Sequence, residues 1–378
     1  MATVTRRTGW RGIAQLFELS RGGAGQNILA MEGLRGVAVI LVFGVHYATL
    51  VQPWLTGYAW QQTLFKGMHS VGNAGVDLFF VLSGLLIYGH LLRRRQQFFA
   101  YFLRRVQRIY PAFLAVFALY VALSLLAPAR SKLPPGLDAV PYLIANLLLL
   151  PGILPIQPLI TVAWSLSYEM LFYLAMPVIV AVFSLRRRSA FYRIALLAGM
   201  LLLALVGFAL FGGPVRLCMF IFGALLAEAL PRTRPLSSSL GIFAGLAGLA
   251  VMLVSAPGPG AQALRTAILG LCFGLLCHVA LAESSSTLAR LLCWNPIRWL
   301  GNMSYSYYLV HGLALQILFI VLSRLWVPQD TRGLALAFFM PAFLLSLVPA
   351  ACLYLMVERP FSLRVSVPLA RPPVTGAT

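Results

Sequence analysis

Apolar residues run through this chain in long continuous blocks separated by short, polar, often basic stretches. A membrane-crossing helix needs about 20 apolar residues. Ten blocks reach or approach that length: 28–50, 72–92, 109–127, 161–185, 193–211, 214–230, 238–256, 263–283, 303–326 and 333–357. They do not alternate in the runs of about ten residues that mark barrel strands. Backbone placed in hydrocarbon must bond within itself, so helices follow. The pattern predicts an all-α integral membrane protein, a bundle of about ten transmembrane helices. The stretch 138–160 resists this assignment, because Pro141, Pro151, Pro155 and Pro158 interrupt it. Counting it as a crossing would also reverse the next span and put Arg186, Arg187 and Arg188 outside. It reads as an interfacial or re-entrant segment, which a membrane tolerates where protein buries it.

Composition agrees with a lipid environment. The chain is 60% hydrophobic and 10% charged, against about 25% charged in soluble domains. The net charge of +20 raises the question of nucleic acid, but the basic residues are placed otherwise. Most of the 29 fall in six clusters: Arg6 to Arg21, Arg93 to Arg108, Arg186 to Arg193, Arg232 with Arg234, Arg290 with Arg298, and Arg359 to Arg371. With ten crossings all six face one side, the arrangement of cytoplasmic loops. Both termini are then cytoplasmic, membrane lipid is a partner and nucleic acid is not. The expected division is an N-terminal tail over 1–27, a transmembrane domain over 28–361 and a C-terminal tail over 362–378. Neither a signal peptide nor an appended soluble domain is expected. The five cysteines form no CxxC pair and the histidine spacings suit no metal site.

Ionisable residues inside membrane helices are expensive and each is a functional hypothesis. In the first span Arg35 and His46 are eleven residues apart. Eleven steps return to within about 20° of one helix face, about 16 Å along the axis. That suits a long thin ligand, with an anion at Arg35 and chemistry at His46. Arg35 also reads as a snorkelling arginine paired with Glu32, and His46 as a structural histidine. Asp77 and Glu169 are expected at the depth of His46, where a carboxylate could fix the imidazole tautomer. Arg105 and Arg108 share a face if their stretch is helical, and could hold phosphates of a cytosolic cofactor. A topology anchor is the bland alternative for that cluster. His311 lies beside a Tyr- and Ser-rich face that includes Ser304 and Tyr305, and its functional and structural readings stay open. Glu228, Glu283 and Glu358 fall at inner helix ends, where charge is cheap. No nucleophile elbow, phosphate loop or HExxH motif is present.

The segments EGLRGVAVILVFGVH, GVDLFFVLSGLLI, RRVQRIYP, WSLSYEMLFY, LGNMSYSYYLVH and VERPF occur in an order that resembles the acyltransferase-3 family of membrane acyltransferases, over about residues 28–361. The Arg35–His46 and Arg105–Arg108 spacings are among that family's signatures. The resemblance implies a ten-helix, multi-pass protein of the bacterial inner membrane. It implies an acyl group, usually acetyl, taken from acyl-CoA as donor, without a metal. It implies a hydroxyl acceptor on a surface polysaccharide, lipopolysaccharide or related glycan or glycolipid, or on a macrolide-type small molecule. His46, oriented by Asp77 or Glu169, would act as general base or as transiently acylated nucleophile. Arg35, Arg105 and Arg108 would hold the donor. Glu32 stands where the family usually has Asp. Some members carry a fused esterase-like domain, and acyl relay to such a domain within this polypeptide is not expected. A transporter or flippase for lipid-linked sugars is the rival class, since intramembrane charge also marks transport pathways. Inverted repeats would favour it, and none is visible.

Overall fold

The computed structural model describes residues 15–19, 26–55, 59–283, 285–325 and 334–363. Arg6, Arg7, Arg11, Arg21, Arg332, Arg364 and Arg371, with most of both expected tails, lie outside these residues. The helices are α1 (Gln26–Val51), α2 (Ala59–Gly72), α3 (Ala74–Arg93), α4 (Phe98–Leu126), α5 (Ala139–Leu147), α6 (Ala163–Val182), α7 (Ala190–Phe211) and α8 (Cys218–Ala229). There follow α9 (Ser238–Val251), α10 (Gly258–Ala282), α11 (Thr287–Leu292), α12 (Asn295–Asn302), α13 (Ser304–Leu325), α14 (Leu334–Ala337) and α15 (Phe339–Leu353). A π-helical stretch, Tyr354–Leu363, continues α15. No strand occurs among the described residues.

Among the described residues eight helical stretches are long and apolar enough to cross a membrane, among them Ala59–Arg93, which joins α2 and α3. The segments expected to span at 214–230 and 238–256 form α8, of 12 residues, and α9, of 14. At 1.5 Å per residue these reach about 18 and 21 Å, short of a hydrocarbon core of about 30 Å. Gly212, Gly213 and Pro214 stop the chain ahead of α8, and residues 252–257, ending in Pro257, separate α9 from α10. Two boundaries move the other way. The loop expected after the first span is largely helix α2, and α4 begins eleven residues before the expected 109, so Arg104, Arg105 and Arg108 are helical. Within 138–160 the only helix is α5, of nine residues. Asn146, buried, accepts from the Leu159 amide at 2.7 Å and donates to the Tyr142 and Gln157 carbonyls, folding the segment back on itself.

Large apolar side chains face outward along the bundle, including Leu203 at 74% and Phe211 at 87% exposure on α7. An apolar surface of this extent needs lipid rather than water. Inside, small residues bring helices close. A Cβ on Gly84 of α3 would lie 2.1 Å from the Phe220 carbonyl oxygen of α8, and one on Gly223 would lie 2.0 Å from that of Val81. A second close approach sets α1 against α11 and α12, where a Cβ on Gly301 would meet the Glu32 carbonyl oxygen at 1.8 Å. These two contacts decide which way the charged side chains of α1 and α3 point.

Candidate active site

A cavity of about 170 Å3 opens where α1, α3, α4, α6 and α13 converge. Helical periodicity builds its walls. On α6, Ser165, Glu169 and Tyr173 are spaced by four; on α13, Ser304, Tyr305 and Tyr308 fall on one face; on α3, Val76, Phe79 or Phe80, and Ser83 do the same. Arg35, Arg105 and Arg108 all line the cavity with Glu169, Ser304 and Tyr305. The structure therefore gathers six of the nine residues that the sequence singled out. His46, Asp77 and His311 stand apart from this lining.

The two arginines of α4 have different surroundings. Arg108 donates to Glu358 at 2.6 Å, and its guanidinium lies 5.7 Å from the Tyr305 ring centroid. Glu358 is fully buried and also accepts from the Ser306 amide at 3.1 Å and the Ser306 hydroxyl at 2.6 Å. This corrects the expectation of a cheap charge at a helix end. The π-helical stretch carries Glu358 against α4, and the burial is stabilised by three donors. Arg105 sits over the rings of Tyr101 and Tyr173, at 5.3 and 5.6 Å, and its buried Nε has no hydrogen-bond partner. Tyr305 donates to the Ile109 carbonyl at 2.7 Å, tying α13 to α4 just ahead of Pro111.

The carboxylates do not meet His46 as the sequence suggested. Glu169 accepts from the Tyr173 hydroxyl and, at 3.2 Å, from Ser83, both through Oε1. Asp77 is 2% exposed and faces Arg216, whose Nε lies 3.7 Å from Oδ1. The reason is positional. Asp77 and Gly84 are seven residues apart on α3, hence about 20° from alignment, and Gly84 packs on α8. That face of Asp77 is turned to Arg216, two residues ahead of α8, and not to α1. Glu32 likewise pairs with Arg298, at 3.1 Å, and with Asn302. His46 instead meets His311, with ring centroids 4.7 Å apart and planes at 71°.

Besides Glu358, which the sequence reading gave no role in the site, it did not single out Tyr173, Tyr308 and Ser165. Tyr173 had a signal, four residues beyond Glu169 in one apolar helix. Tyr308 and Ser165 had none, because their hydroxyls, 2.6 Å apart, come from helices 143 positions apart in the chain. No group of three or more potential ligands that could hold a metal occurs among the described residues.

Apolar spans enclosing a cavity lined by arginine, carboxylate and hydroxyl groups define a multi-pass membrane protein with a polar site among its helices. The chain belongs to the acyltransferase-3 family: its family model, described as an acyltransferase domain, matches residues 28–354. It is accordingly an acyltransferase. It is 28% identical over 317 residues to the exopolysaccharide production protein ExoZ of Rhizobium meliloti, covering 77% of this chain and 90% of that one. It is 32% identical over 154 residues to the acyltransferase MdmB of Streptomyces mycarofaciens, 39% of this chain and 38% of MdmB. With the O-acetyltransferase OatA of Staphylococcus aureus it shares 26% identity over 316 residues, 74% of this chain and half of OatA. No solved structure matches it.

Proposed function

We propose that this protein takes an acyl group, in the simplest case acetyl, from acyl-CoA and transfers it to a hydroxyl of a cell-surface glycan. The observation that carries the reading is the convergence of Arg35, Arg105 and Arg108 on one cavity, with the buried Arg105 Nε lacking a partner. A guanidinium grips phosphate or a thioester oxygen through its fork of donors. A cavity of about 170 Å3 admits only part of such a donor, so the acyl end enters and the nucleotide stays at the mouth. The names of two relatives, an exopolysaccharide production protein and an O-acetyltransferase, support a glycan hydroxyl as acceptor.

His46 is the general base of this reading. It takes the proton of the acceptor hydroxyl as the oxygen attacks the thioester carbon. The C–S bond then breaks, and the departing thiolate recovers the proton from His46. Arg35, on the same face of α1, holds the donor, with Arg105 and Arg108. Glu169, Ser304 and Tyr305 complete the polar lining. Asp77 is a catalytic candidate only through the charge that it presents with Arg216.

The reading includes ten crossings of a bacterial inner membrane with both termini cytoplasmic. The α8 side chains are largely buried, and a short helix at membrane depth is tolerated where protein surrounds it. Cysteines introduced at Gln96 and Arg187 should resist membrane-impermeant thiol reagents in intact cells, and one at Lys132 should react. Labelling of the first two would reverse the orientation. The activity itself is tested with purified full-length protein, acetyl-CoA and glycan extracted from the producing cell. Glycan-dependent release of CoA thiol is expected. Its absence, with no acyl unit gained by the glycan in mass spectra, would reject this donor and acceptor.

A further inference from the structure

His311 is fully buried on α13, one turn beyond Tyr308. Its Nδ1 lies 2.9 Å from the carbonyl oxygens of both Tyr307 and Tyr308. A carbonyl only accepts, so a neutral ring must carry its proton on Nδ1. Nε2 is then a lone pair, buried and without a hydrogen-bond partner. Leaving a buried acceptor unpaired is unfavourable, and the backbone pins the ring so that it cannot turn away. The Tyr307 ring stacks on it at 5.0 Å and 11°, which locks the plane further. The ring that approaches is His46, at 4.7 Å and near perpendicular, the arrangement in which one ring presents its edge to the other. The carboxylates that might have served His46 are engaged elsewhere, Asp77 with Arg216 and Glu169 with Tyr173 and Ser83.

We infer that His311 is the positioning residue of His46, its Nε2 accepting the N–H of the His46 ring in the place that a carboxylate fills in other acyl-transfer sites. The inference rests on the proposed role of His46 as base. The contact fixes the His46 tautomer, so that the other His46 nitrogen faces the acceptor hydroxyl as a lone pair. When His46 takes the hydroxyl proton, the positive ring is stabilised by a neutral acceptor. A neutral partner is suited to a site surrounded by lipid, where a carboxylate would add a second buried charge. Tyr308 joins the pair to the cavity, since it lines the cavity and its ring lies 6.1 Å from that of His311.

The test uses the full chain in lipid nanodiscs, acetyl-CoA as donor and extracted cell-surface glycan as acceptor. Four variants are compared: H46Q, H311F, H311Q and the double variant H46Q/H311F. Phe keeps the packing and removes the acceptor atom; the Gln amide oxygen restores an acceptor near the place of Nε2. H311F should lower kcat by about 10²-fold, the lower end of what a positioned proton transfer contributes, with the KM for acetyl-CoA unchanged. H311Q should recover most of that loss, and H311F should add nothing further in the H46Q background. Equal kcat in H311F and wild type, or equal losses in H311F and H311Q, would overturn the inference. So would independent, multiplying losses in the double variant. Should H311F fail to fold, H311Q against H311N decides, since the shorter amide reaches only the Nδ1 position: equal activity of the two overturns it. Near-normal kcat in H46Q is a different outcome, which removes the role of His46 itself and the inference with it.

Discussion

Two of the arginine–carboxylate groups inside this bundle are built to different standards. At Glu228, 1% exposed, Arg193 donates to Oε1 at 2.5 Å and to Oε2 at 2.9 Å. Tyr88 adds a bond to Oε1 at 2.8 Å, and Arg232 closes on Oε2 at 2.9 Å. Both oxygens are saturated and Glu228 is absent from the cavity lining. Around the cavity the pairing is incomplete. Arg108 is held by Glu358, but the Arg105 Nε three residues away is buried and unpartnered, and both bonds to Glu169 fall on one oxygen. A buried charge alone therefore does not mark function in this protein. The useful signal is a charged group whose hydrogen bonds are unfinished beside open space, because buried polar groups in folded proteins are rarely left without a partner.

Substitutions that exchange these two behaviours would break the comparison. The largest effect is expected at His46. His46→Gln should cut acyl transfer by about 10²- to 10⁴-fold, the range of general-base catalysis, while melting temperature and acetyl-CoA binding persist. Retained transfer in a kinetic assay would remove His46 from the chemistry. Next comes Glu228→Gln, which leaves Arg193 and Arg232 without their charge partner. Breaking a buried pair costs about 3–5 kcal/mol, so thermal unfolding should move down sharply, while the molecules that remain folded keep their kcat. A loss of kcat at unchanged stability would place Glu228 among the functional groups.

How much of this contrast was legible in the sequence depends on whether one helix suffices to decide it. Arg35 with His46, and Arg105 with Arg108, lie within single helices, so their shared faces followed from spacing, and the cavity does collect the three arginines. The partners of Asp77 and Glu32 depend on how α3 meets α8 and how α1 meets α12. Those contacts turn on glycine faces whose counterparts lie more than a hundred residues away. Glu358 falls one residue beyond the expected span at 333–357 and so read as a cheap charge at a helix end. The π-helical turn rotates it inward to Arg108 and Ser306. At α8 and α9 the expected spans are shorter helices for a related reason: apolar composition shows what avoids water, but not whether lipid or protein takes its place.

A smaller effect is expected at Ser165→Ala. It removes the 2.6 Å bond to the Tyr308 hydroxyl, though Tyr308 keeps its bond to the Val162 carbonyl. Stability should fall by about 1 kcal/mol, the usual net worth of such a bond, as read by chemical or thermal unfolding. Transfer should change little. A large fall in kcat with intact stability would mean that the position of Tyr308 between the cavity and His311 governs the reaction.

The central claim is that the unfinished arginine site is completed by the donor. Thermal unfolding of the purified full chain, with and without acetyl-CoA, in wild type and in Arg105→Ala, tests it most directly. Ligand at about 100 times its dissociation constant stabilises a protein by about 2.7 kcal/mol. The wild type should therefore show a clear upward shift with acetyl-CoA. Arg105→Ala should keep the unliganded melting temperature and lose that shift. An unchanged acetyl-CoA shift in Arg105→Ala would contradict the account.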